Sequence, residues 1–259
     1  MAARKTTETA AQWGIVIAVH LAVVLIWYLA VEWGDIPKFV LASPQDTFMS
    51  LFDSYPWFTN TMVTTAEIFG GYIAAVIVGV GLALIFSWFR AVETVFMPLV
   101  ISLNMIPKVA MGPLIIVWFD YGIQTNMAIA FAISFLPILI TTARGLREVE
   151  PDLIDLVKTL RATRWQIFTK IQLPGSLPYI FSGMKVAVVL AVAGAVVGEI
   201  IASDAGLAYL IGQVQVTLDT AAMIMAVLLI TLVGVILYGI VLLLERVMVV
   251  RDARLEAMA

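Results

Sequence analysis

The stretch AAMIMAVLLITLVGVILYGIVLLL, residues 221–244, contains no charged residue. A transmembrane α-helix needs about 20 predominantly apolar residues to cross the hydrocarbon core of a bilayer. This stretch therefore predicts a membrane-spanning helix. Comparable apolar stretches predict five further spans, at residues 13–31, 65–89, 95–119, 127–142 and 179–202. The predicted fold is an all-α membrane protein with about six transmembrane helices.

The composition of the whole chain also fits a lipid environment. The 259 residues are 62% apolar and 13% charged, whereas soluble domains average roughly 45–50% apolar and about 25% charged residues. A disordered chain is excluded as well, because such chains are poor in apolar residues. With no cysteine and a single histidine, His20, we expect no disulfide, no metal site and no catalytic residue. The net charge of −3 offers no basic surface for nucleic acid.

The distribution of lysine and arginine predicts the orientation, because cytoplasmic loops of membrane proteins carry an excess of both. With the N-terminus inside, 12 of the 15 cations fall in cytoplasmic segments. Both termini are therefore predicted to be cytoplasmic. The expected organisation is a cytoplasmic tail at 1–12, a first helix with an external amphipathic segment at 13–62, a core transmembrane domain at 63–245 and a C-terminal tail at 246–259.

One large polar segment, residues 143–178, interrupts the apolar pattern. It contains six cations and four carboxylates. Its apolar residues recur at helical spacing around 153–160 and again around 165–171, which predicts two short helices. Pro174 and Pro178 follow, so the next span is expected to begin near Tyr179. Charge around an apolar face indicates an interaction site; a solvated loop on the lipid headgroups is the alternative.

This segment resembles the cytoplasmic coupling loop of binding-protein-dependent ABC importer permeases. The family signature runs Glu-Ala-Ala, three residues, Gly, nine residues and Ile-x-Leu-Pro, and residues 171–174, Ile-Gln-Leu-Pro, match its end. Asp155 stands at the Glu position, Leu156 and Val157 at the two Ala positions, and Arg161 at the Gly position. The resemblance implies that the ATPase-coupling residues are Asp155, Leu156, Val157, Leu160, Arg161, Ala162, Thr163 and Trp165.

The resemblance extends from about residue 60 to residue 254, to the branch of the family that imports nitrate, taurine, alkanesulfonates or related compounds. The matching motifs are TAEIFGG at 65–71, IPKVA at 106–110, GP at 112–113, WF at 118–119, FLPI at 135–138, GE at 198–199 and GL at 206–207. Asp120, Arg161 and Ala208 depart from it, because the family usually has Gly at these positions. For Arg161, either the turn avoids positive φ or the side chain makes a compensating contact with a partner.

The resemblance implies a type I ABC importer permease bundle with a cytoplasmic coupling helix, in the cytoplasmic membrane of a prokaryote. Two permease chains, expected here as a homodimer, would form the translocation path. An ATPase dimer would dock on residues 150–170, and a periplasmic or lipid-anchored binding protein would deliver the solute. The sequence has no Gly-x4-Gly-Lys-Ser/Thr motif, so we expect no enzyme activity and no cofactor on this chain, with ATP bound by the partner subunit.

Three ionisable residues in the predicted spans, Lys108, Glu67 and Glu199, are candidates for the translocation path. Polar groups inside lipid are costly and often functional. Lys108 stands between Pro107 and Pro113 near the middle of its span, as a cation that attracts an anionic solute or as a structural lysine paired with a carboxylate. Glu67 and Glu199 lie near the outer ends of their spans, where they line an external gate, meet the binding protein, or snorkel to the interface.

The predicted function is import of a small solute, with a nitrate-, sulfonate- or taurine-like anion favoured by Lys108. A pyrimidine vitamin precursor or another small organic solute is the alternative within the same family. The competing class is an ion-gradient-driven secondary transporter. Such a carrier is expected to have interrupted helices at matching positions in two halves, and the interrupted third span has no clear counterpart.

Overall fold

The computed structural model describes residues 2–107, 114, 117–118, 120–148 and 151–249, with residues 2–13, 151–153 and 155 described by their backbone alone. Within this part of the chain the secondary structure is entirely helical. The helices are α1 (Ala2–Trp33), α2 (Pro44–Met49), α3 (Trp57–Trp88), α4 (Arg90–Asn104), α5 (Ile123–Gly145), α6 (Pro151–Thr159), α7 (Arg164–Ile167), α8 (Leu173–Ala202), α9 (Leu207–Val216) and α10 (Thr220–Met248). A 3₁₀ turn, Ser50–Phe52, follows α2, and a π-helical turn, Phe168–Gln172, joins α7 to α8.

Five stretches of the described chain are long and apolar enough to cross a membrane. They are Gly14–Trp33, Trp57–Trp88, Ile123–Gly145, Arg164–Ala202 and Thr220–Met248. The predicted all-helical membrane fold is therefore confirmed. The third predicted span, 95–119, begins inside α4, and most of its second half lies outside the described residues.

Residues 43–62, in the external segment predicted to be amphipathic, are divided between two helices. Ser43 caps α2, because its Oγ accepts the N–H of Asp46 at 3.0 Å, and helix α2 ends at Met49. Helix α3 already begins at Trp57, directly after Pro56, which is compatible with a helix start but not with a helix interior. The Trp57 side chain is buried and its Nε1–H donates to the Ser50 carbonyl at 3.0 Å.

The helix that contains the fifth predicted span begins well before Tyr179, because the helical backbone runs without a break from Arg164 to Ala202. Proline lacks the N–H of a regular helical hydrogen bond, and its ring clashes with the preceding turn. The π-helical turn Phe168–Gln172 lies just before Pro174 and widens the backbone there, as π-bulges inside α-helices do. The helix thus continues past a residue that normally ends one.

The chain divides into two compact units, Phe58–Tyr209 with Leu229–Ala259, and Met1–Trp57 with Leu210–Leu228. In the larger unit, α5 and α8 pack along each other through glycine and alanine. A Cβ at residue 194 would lie 2.7 Å from the Ala130 Cα, and one at residue 198 would lie 2.8 Å from the Asn126 Oδ1. Close backbone approach through small residues is typical of helices packed in membranes.

In the smaller unit, Asp219 holds the start of α10. Its Oδ1 accepts the N–H of Ala222 at 3.1 Å, as an N-cap residue does, and its Oδ2 accepts the hydroxyl of Tyr55 at 2.7 Å. The hydrogen bond to Asp219 raises the pKa of Tyr55 to about 12. The hydroxyl of Thr220 donates to the Phe39 carbonyl at 2.6 Å, so the first turn of α10 is tied to the residues after α1.

Candidate functional site

The bend after α6 is a Schellman motif, the hydrogen-bonded C-terminus of an α-helix that normally uses glycine. The N–H of Ala162 donates to the Val157 carbonyl at 3.1 Å, and the N–H of Arg161 donates to the Lys158 carbonyl at 2.9 Å. Arg161 occupies the left-handed position with φ of 59°. The turn therefore does not avoid positive φ, although left-handed backbone costs a residue with a Cβ roughly 1–2 kcal/mol.

The next helix, α7, begins with a capping box. The Thr163 Oγ1 accepts the N–H of Gln166 at 3.3 Å, and the Gln166 Oε1 accepts the N–H of Thr163 at 2.8 Å. Both short helices were predicted, and the bend between them has a defined hydrogen-bonded geometry on each side. The sequence signal for this cap, Thr-x-x-Gln, is present at 163–166.

The coupling segment, residues 151–172, exposes large apolar side chains. The exposed fractions of Leu156, Leu160 and Trp165 are 57%, 73% and 64%. Arg161 and Thr163 are exposed as well, whereas Val157 and Ala162 are partly buried. The side chain of Asp155 lies outside the described residues. Apolar side chains among charged ones on a surface mark a site of interaction.

Aromatic side chains anchor the coupling segment to the end of α3. Phe168 is buried, and its ring centroid lies 5.4 Å from that of Trp88 in an edge-to-face arrangement. Trp165 packs on both, with centroids 6.1 Å from Trp88 and 5.9 Å from Phe168. Such pairs contribute about 0.5–1.5 kcal/mol beyond the area they bury. These ring contacts connect α7 and the turn after it directly to the end of α3.

Ion pairs lie at the end of α5, where the chain approaches the coupling segment. Arg147 pairs with the buried carboxylate of Glu93 in α4. Arg144 donates to Glu148 at 2.6 Å across one helical turn, and this hydrogen bond holds the pKa of Glu148 below its usual value. The Arg147 pair ties α4 to the turn that follows α5, whereas the exposed Arg144 pair adds little stability.

A second group of polar residues is buried between α3, α5 and α8. Glu199, 1% exposed, accepts three hydrogen bonds: from the Thr64 hydroxyl at 2.5 Å to Oε1, and from the N–H groups of Ala208 at 2.6 Å and Tyr209 at 3.3 Å to Oε2. The first N–H groups of a helix have no partner within the helix. The Glu199 carboxylate thus supplies acceptors for the N-terminus of α9.

Glu67 and Asn126 complete this buried carboxylate cluster. Glu67, fully buried, accepts a hydrogen bond from the Asn126 Nδ2 at 2.8 Å, and its carboxyl also faces that of Glu199. Neither carboxylate snorkels to an interface, since both are enclosed by the chain. The prediction singled out Glu67 and Glu199 separately, and the structure brings them together.

Other members of the cluster had only a weak sequence signal. The Asn60 Oδ1 accepts the N–H of Gly206 at 2.9 Å, and the Thr64 Oγ1 accepts the N–H of Leu207 at 2.8 Å. Asn60, Thr64 and Glu67 lie on one face of α3, at the i, i+4 and i+7 spacing that a helical pattern shows. Asn126 carries no comparable signal. Lys108, the third path candidate, lies outside the described residues.

Comparison with known proteins identifies the family of this chain. The family model described as binding-protein-dependent transport system inner membrane component matches residues 71–250. The chain belongs to this family. It is a multi-pass membrane permease of an ABC importer for small solutes.

Relatives of this permease carry related descriptions. The riboflavin transport system permease protein RibX of Chloroflexus aurantiacus is 33% identical over 88% of this chain and 87% of its own. A probable ABC transporter permease protein of Haemophilus influenzae is 31% identical over 83% of this chain and 88% of its own. The formylaminopyrimidine transport permease protein ThiX of Halalkalibacterium halodurans is 29% identical, over 88% and 92%. These proteins are transport permeases rather than enzymes.

A solved structure supports the fold. A chain of the MetNI methionine ABC transporter in an inward-facing conformation superposes with a TM-score of 0.57 at 19% identity, over 70% of this permease and 93% of that chain. At this identity the similarity concerns the fold alone, and it agrees with the type I importer bundle that the sequence predicts.

Two of the three residues that stand at family glycine positions keep a backbone that suits glycine. Asp120 has φ of 63° and Arg161 has φ of 59°. The Asp120 carbonyl also accepts the Thr125 hydroxyl at 2.7 Å, close to the start of α5. Ala208 differs, because it is a fully buried residue of α9. At Asp120 and Arg161 the chain therefore retains the turn and bears the steric cost of a side chain.

Proposed function

We propose that this permease couples to a separate ATPase dimer through residues 150–170 and receives its solute from an external binding protein. It pairs with a second permease chain, most simply another copy of itself, in the cytoplasmic membrane of a prokaryote. ATP is bound and hydrolysed on the partner subunits, and this chain holds no cofactor. The energy of ATP reaches the spans through the coupling segment.

The observation that carries this proposal is the construction of the coupling segment. Leu156, Leu160 and Trp165 are exposed, while Phe168 is buried against the end of α3. One side of the segment is thus available to a partner and the other is attached to the spans. An apolar patch within a charged rim is the usual anatomy of a protein–protein contact.

The proposal is tested by purifying the tagged full chain from its native membrane with gentle solubilisation and identifying the proteins that accompany it. We expect an ABC ATPase to co-purify with the wild type and to be lost from Leu160→Asp. Phe52→Asp is the matched control, because Phe52 is 90% exposed and lies on a segment that the cation distribution predicts to be external. The proposal is contradicted if the ATPase co-purifies with both variants. It is also contradicted if the ATPase co-purifies with neither variant and not with the wild type.

Transport in vesicles separates this function from a gradient-driven carrier. We expect uptake to require ATP on the side of the vesicle membrane that carries the ATPase. We also expect vanadate to stop it. An ionophore that collapses ion gradients leaves uptake by an ABC importer intact. Uptake that stops with the ionophore and ignores vanadate would establish the secondary-transporter alternative.

For the solute, we propose first a small heterocyclic compound of the vitamin or vitamin-precursor class. The support is the pair of relatives whose names include riboflavin and formylaminopyrimidine, at 33% and 29% identity. The second candidate is a small anion, such as a nitrate-, sulfonate- or taurine-like compound. Its support is Lys108 in the sequence and a relative named as a bicarbonate transport system permease protein, 28% identical over 73% of this chain.

Ligand binding to the co-purified binding protein distinguishes the two candidates. The protein is screened by calorimetry against riboflavin and formylaminopyrimidine, and against bicarbonate, nitrate and taurine. Lys108→Gln then tests the path: for an anion, we expect uptake to be abolished while expression and ATPase binding persist. Normal uptake of an anion by Lys108→Gln excludes Lys108 from the path.

We retain Glu67 and Glu199 as candidates for the outer part of the path, acting indirectly. Both are buried, and Glu199 accepts the N–H groups of Ala208 and Tyr209, which favours a role in holding the start of α9 in place over direct contact with solute. Loss of uptake in Glu67→Gln with an unchanged unfolding temperature would support a path role. Parallel loss of uptake and stability would assign Glu67 to the structure alone.

A further inference from the structure

We propose that Arg161 forms an ion pair with a carboxylate on the ATPase subunit, and that this pair explains an arginine at a backbone position made for glycine. The inference rests on the proposed function, since it specifies the chemistry of the ATPase surface that meets the coupling segment. It concerns a position at which this chain departs from its family, so the family pattern does not supply it.

The first step is the conformation of Arg161. The two hydrogen bonds of the Schellman motif, from Arg161 N–H to the Lys158 carbonyl at 2.9 Å and from Ala162 N–H to the Val157 carbonyl at 3.1 Å, hold φ at 59°. Glycine adopts this region freely, whereas the Cβ of any other residue is crowded there. The arginine thus weakens the turn in which it lies.

The second step is the surroundings of the Arg161 side chain. The side chain is exposed, and among the side chains that the structure describes it has no hydrogen-bond or ion-pair partner. Nothing in that part of the chain offsets the backbone strain. An interaction that forms only when the partner binds would explain why this position holds an arginine that weakens the isolated turn.

The third step is the charge of the surface. Lys158 and Arg164 are exposed on either side of Arg161, and exposed Leu156 and Leu160 lie on the same segment. The complementary surface is therefore an apolar floor with an acidic rim. A guanidinium presents its N–H groups as a planar fork that fits a carboxylate with two parallel hydrogen bonds, which an ammonium cannot do.

The test uses the solubilised permease and the ATPase that co-purifies with it from the native membrane. Arg161→Gly relieves the backbone and removes the guanidinium, Arg161→Ala removes the guanidinium alone, and Arg161→Lys keeps the charge without the fork. Lys170→Ala is the control for loss of an exposed cation elsewhere on the segment. Permease thermal stability and ATPase affinity are both measured, the affinity at low and high salt.

We expect Arg161→Gly to unfold at a higher temperature than the wild type and yet to bind the ATPase about tenfold more weakly, a loss of about 1.4 kcal/mol. Arg161→Ala is expected to lose the same affinity without gaining stability, and Arg161→Lys to lose part of it. The salt dependence of binding is expected to decrease in Arg161→Gly and to change less in Lys170→Ala, because a salt-screened pair has been removed.

The outcomes separate the inference from the proposed function. If the wild type binds the ATPase and Arg161→Gly binds it with unchanged affinity, the ion pair is ruled out and the coupling role stays intact. Failure of the wild-type permease to bind any ATPase overturns the proposed function itself. Equal losses in Arg161→Gly and Lys170→Ala assign the effect to overall charge and also contradict a specific pair.

Discussion

The carboxylate of Glu199 occupies the space where residue 206 would carry its Cβ. Gly206 has φ of 121°, and an added Cβ would overlap the Glu199 carboxylate. The same carboxylate accepts the N–H of Ala208, two residues further on. The glycine and the glutamate therefore act together, because absence of a side chain at 206 lets the carboxylate reach the N-terminus of α9.

We predict that Gly206→Ala destabilises the permease. The added methyl meets both an unfavourable backbone conformation and the Glu199 carboxylate, and strain of this kind costs on the order of 2 kcal/mol. Gly212→Ala is the matched control, because residue 212 lies within α9 with no atom near its Cβ position. Alanine is expected to stabilise a helix there by up to about 1 kcal/mol. Thermal unfolding in detergent measures both, and equal unfolding temperatures would contradict the prediction.

We predict that Glu199→Ala lowers stability more than Glu199→Gln does. Alanine leaves the Thr64 hydroxyl and the N–H groups at the start of α9 without their acceptor, which costs roughly 1–3 kcal/mol. Glutamine keeps one oxygen and therefore part of this pairing. Asp204→Asn, at an exposed position in the same segment, is expected to leave the unfolding temperature within a degree or so of the wild type. An alanine variant as stable as the glutamine variant would exclude the capping role.

We predict that Asn126→Asp prevents the permease from accumulating in folded form. The Asn126 amide donates to Glu67 at 2.8 Å, so aspartate replaces a donor with a third carboxyl in a buried cluster, and like charges in such a site repel. Gln124→Glu makes the same change in charge two residues earlier, at an exposed position. Size-exclusion chromatography of both variants decides the matter. Normal yields of monodisperse Asn126→Asp would show that the cluster tolerates a further carboxyl.

We predict that Gly71→Ala destabilises the packing of α3 on α5, whereas Gly81→Ala does not. A Cβ at residue 71 would lie 2.6 Å from the Ala130 Cβ and 2.8 Å from the Met127 carbonyl oxygen, while residue 81 has open space. Overpacking costs typically about 1–3 kcal/mol. Both changes introduce the same methyl into the same helix, so helix propensity cancels when their unfolding temperatures are compared. Equal effects at the two positions would contradict a close contact at Gly71.

The coupling segment shows how far local sequence patterns reach. The spacing of apolar residues predicted two short helices at 153–160 and 165–171, and helices α6 and α7 lie there. Amphipathic periodicity is a local property of the sequence, so it can be recognised without knowledge of the fold. The helix nevertheless does not begin near Tyr179, because the rule that proline ends a helix ignores the π-helical turn that accommodates Pro174.

The sequence by itself determined the membrane class, the helical fold, five of the spans and the position of the coupling segment, because the thickness and apolarity of a bilayer impose requirements that composition and length express directly. The tertiary structure alone decided that Glu67 meets Asn126, 59 residues away, and that Thr64 meets Glu199, 135 residues away. Such contacts depend on how helices pack, which no local pattern contains. The sequence likewise left undecided whether Arg161 adopts positive φ. The hydrogen bonds of the turn impose that conformation, and they are visible only in the structure.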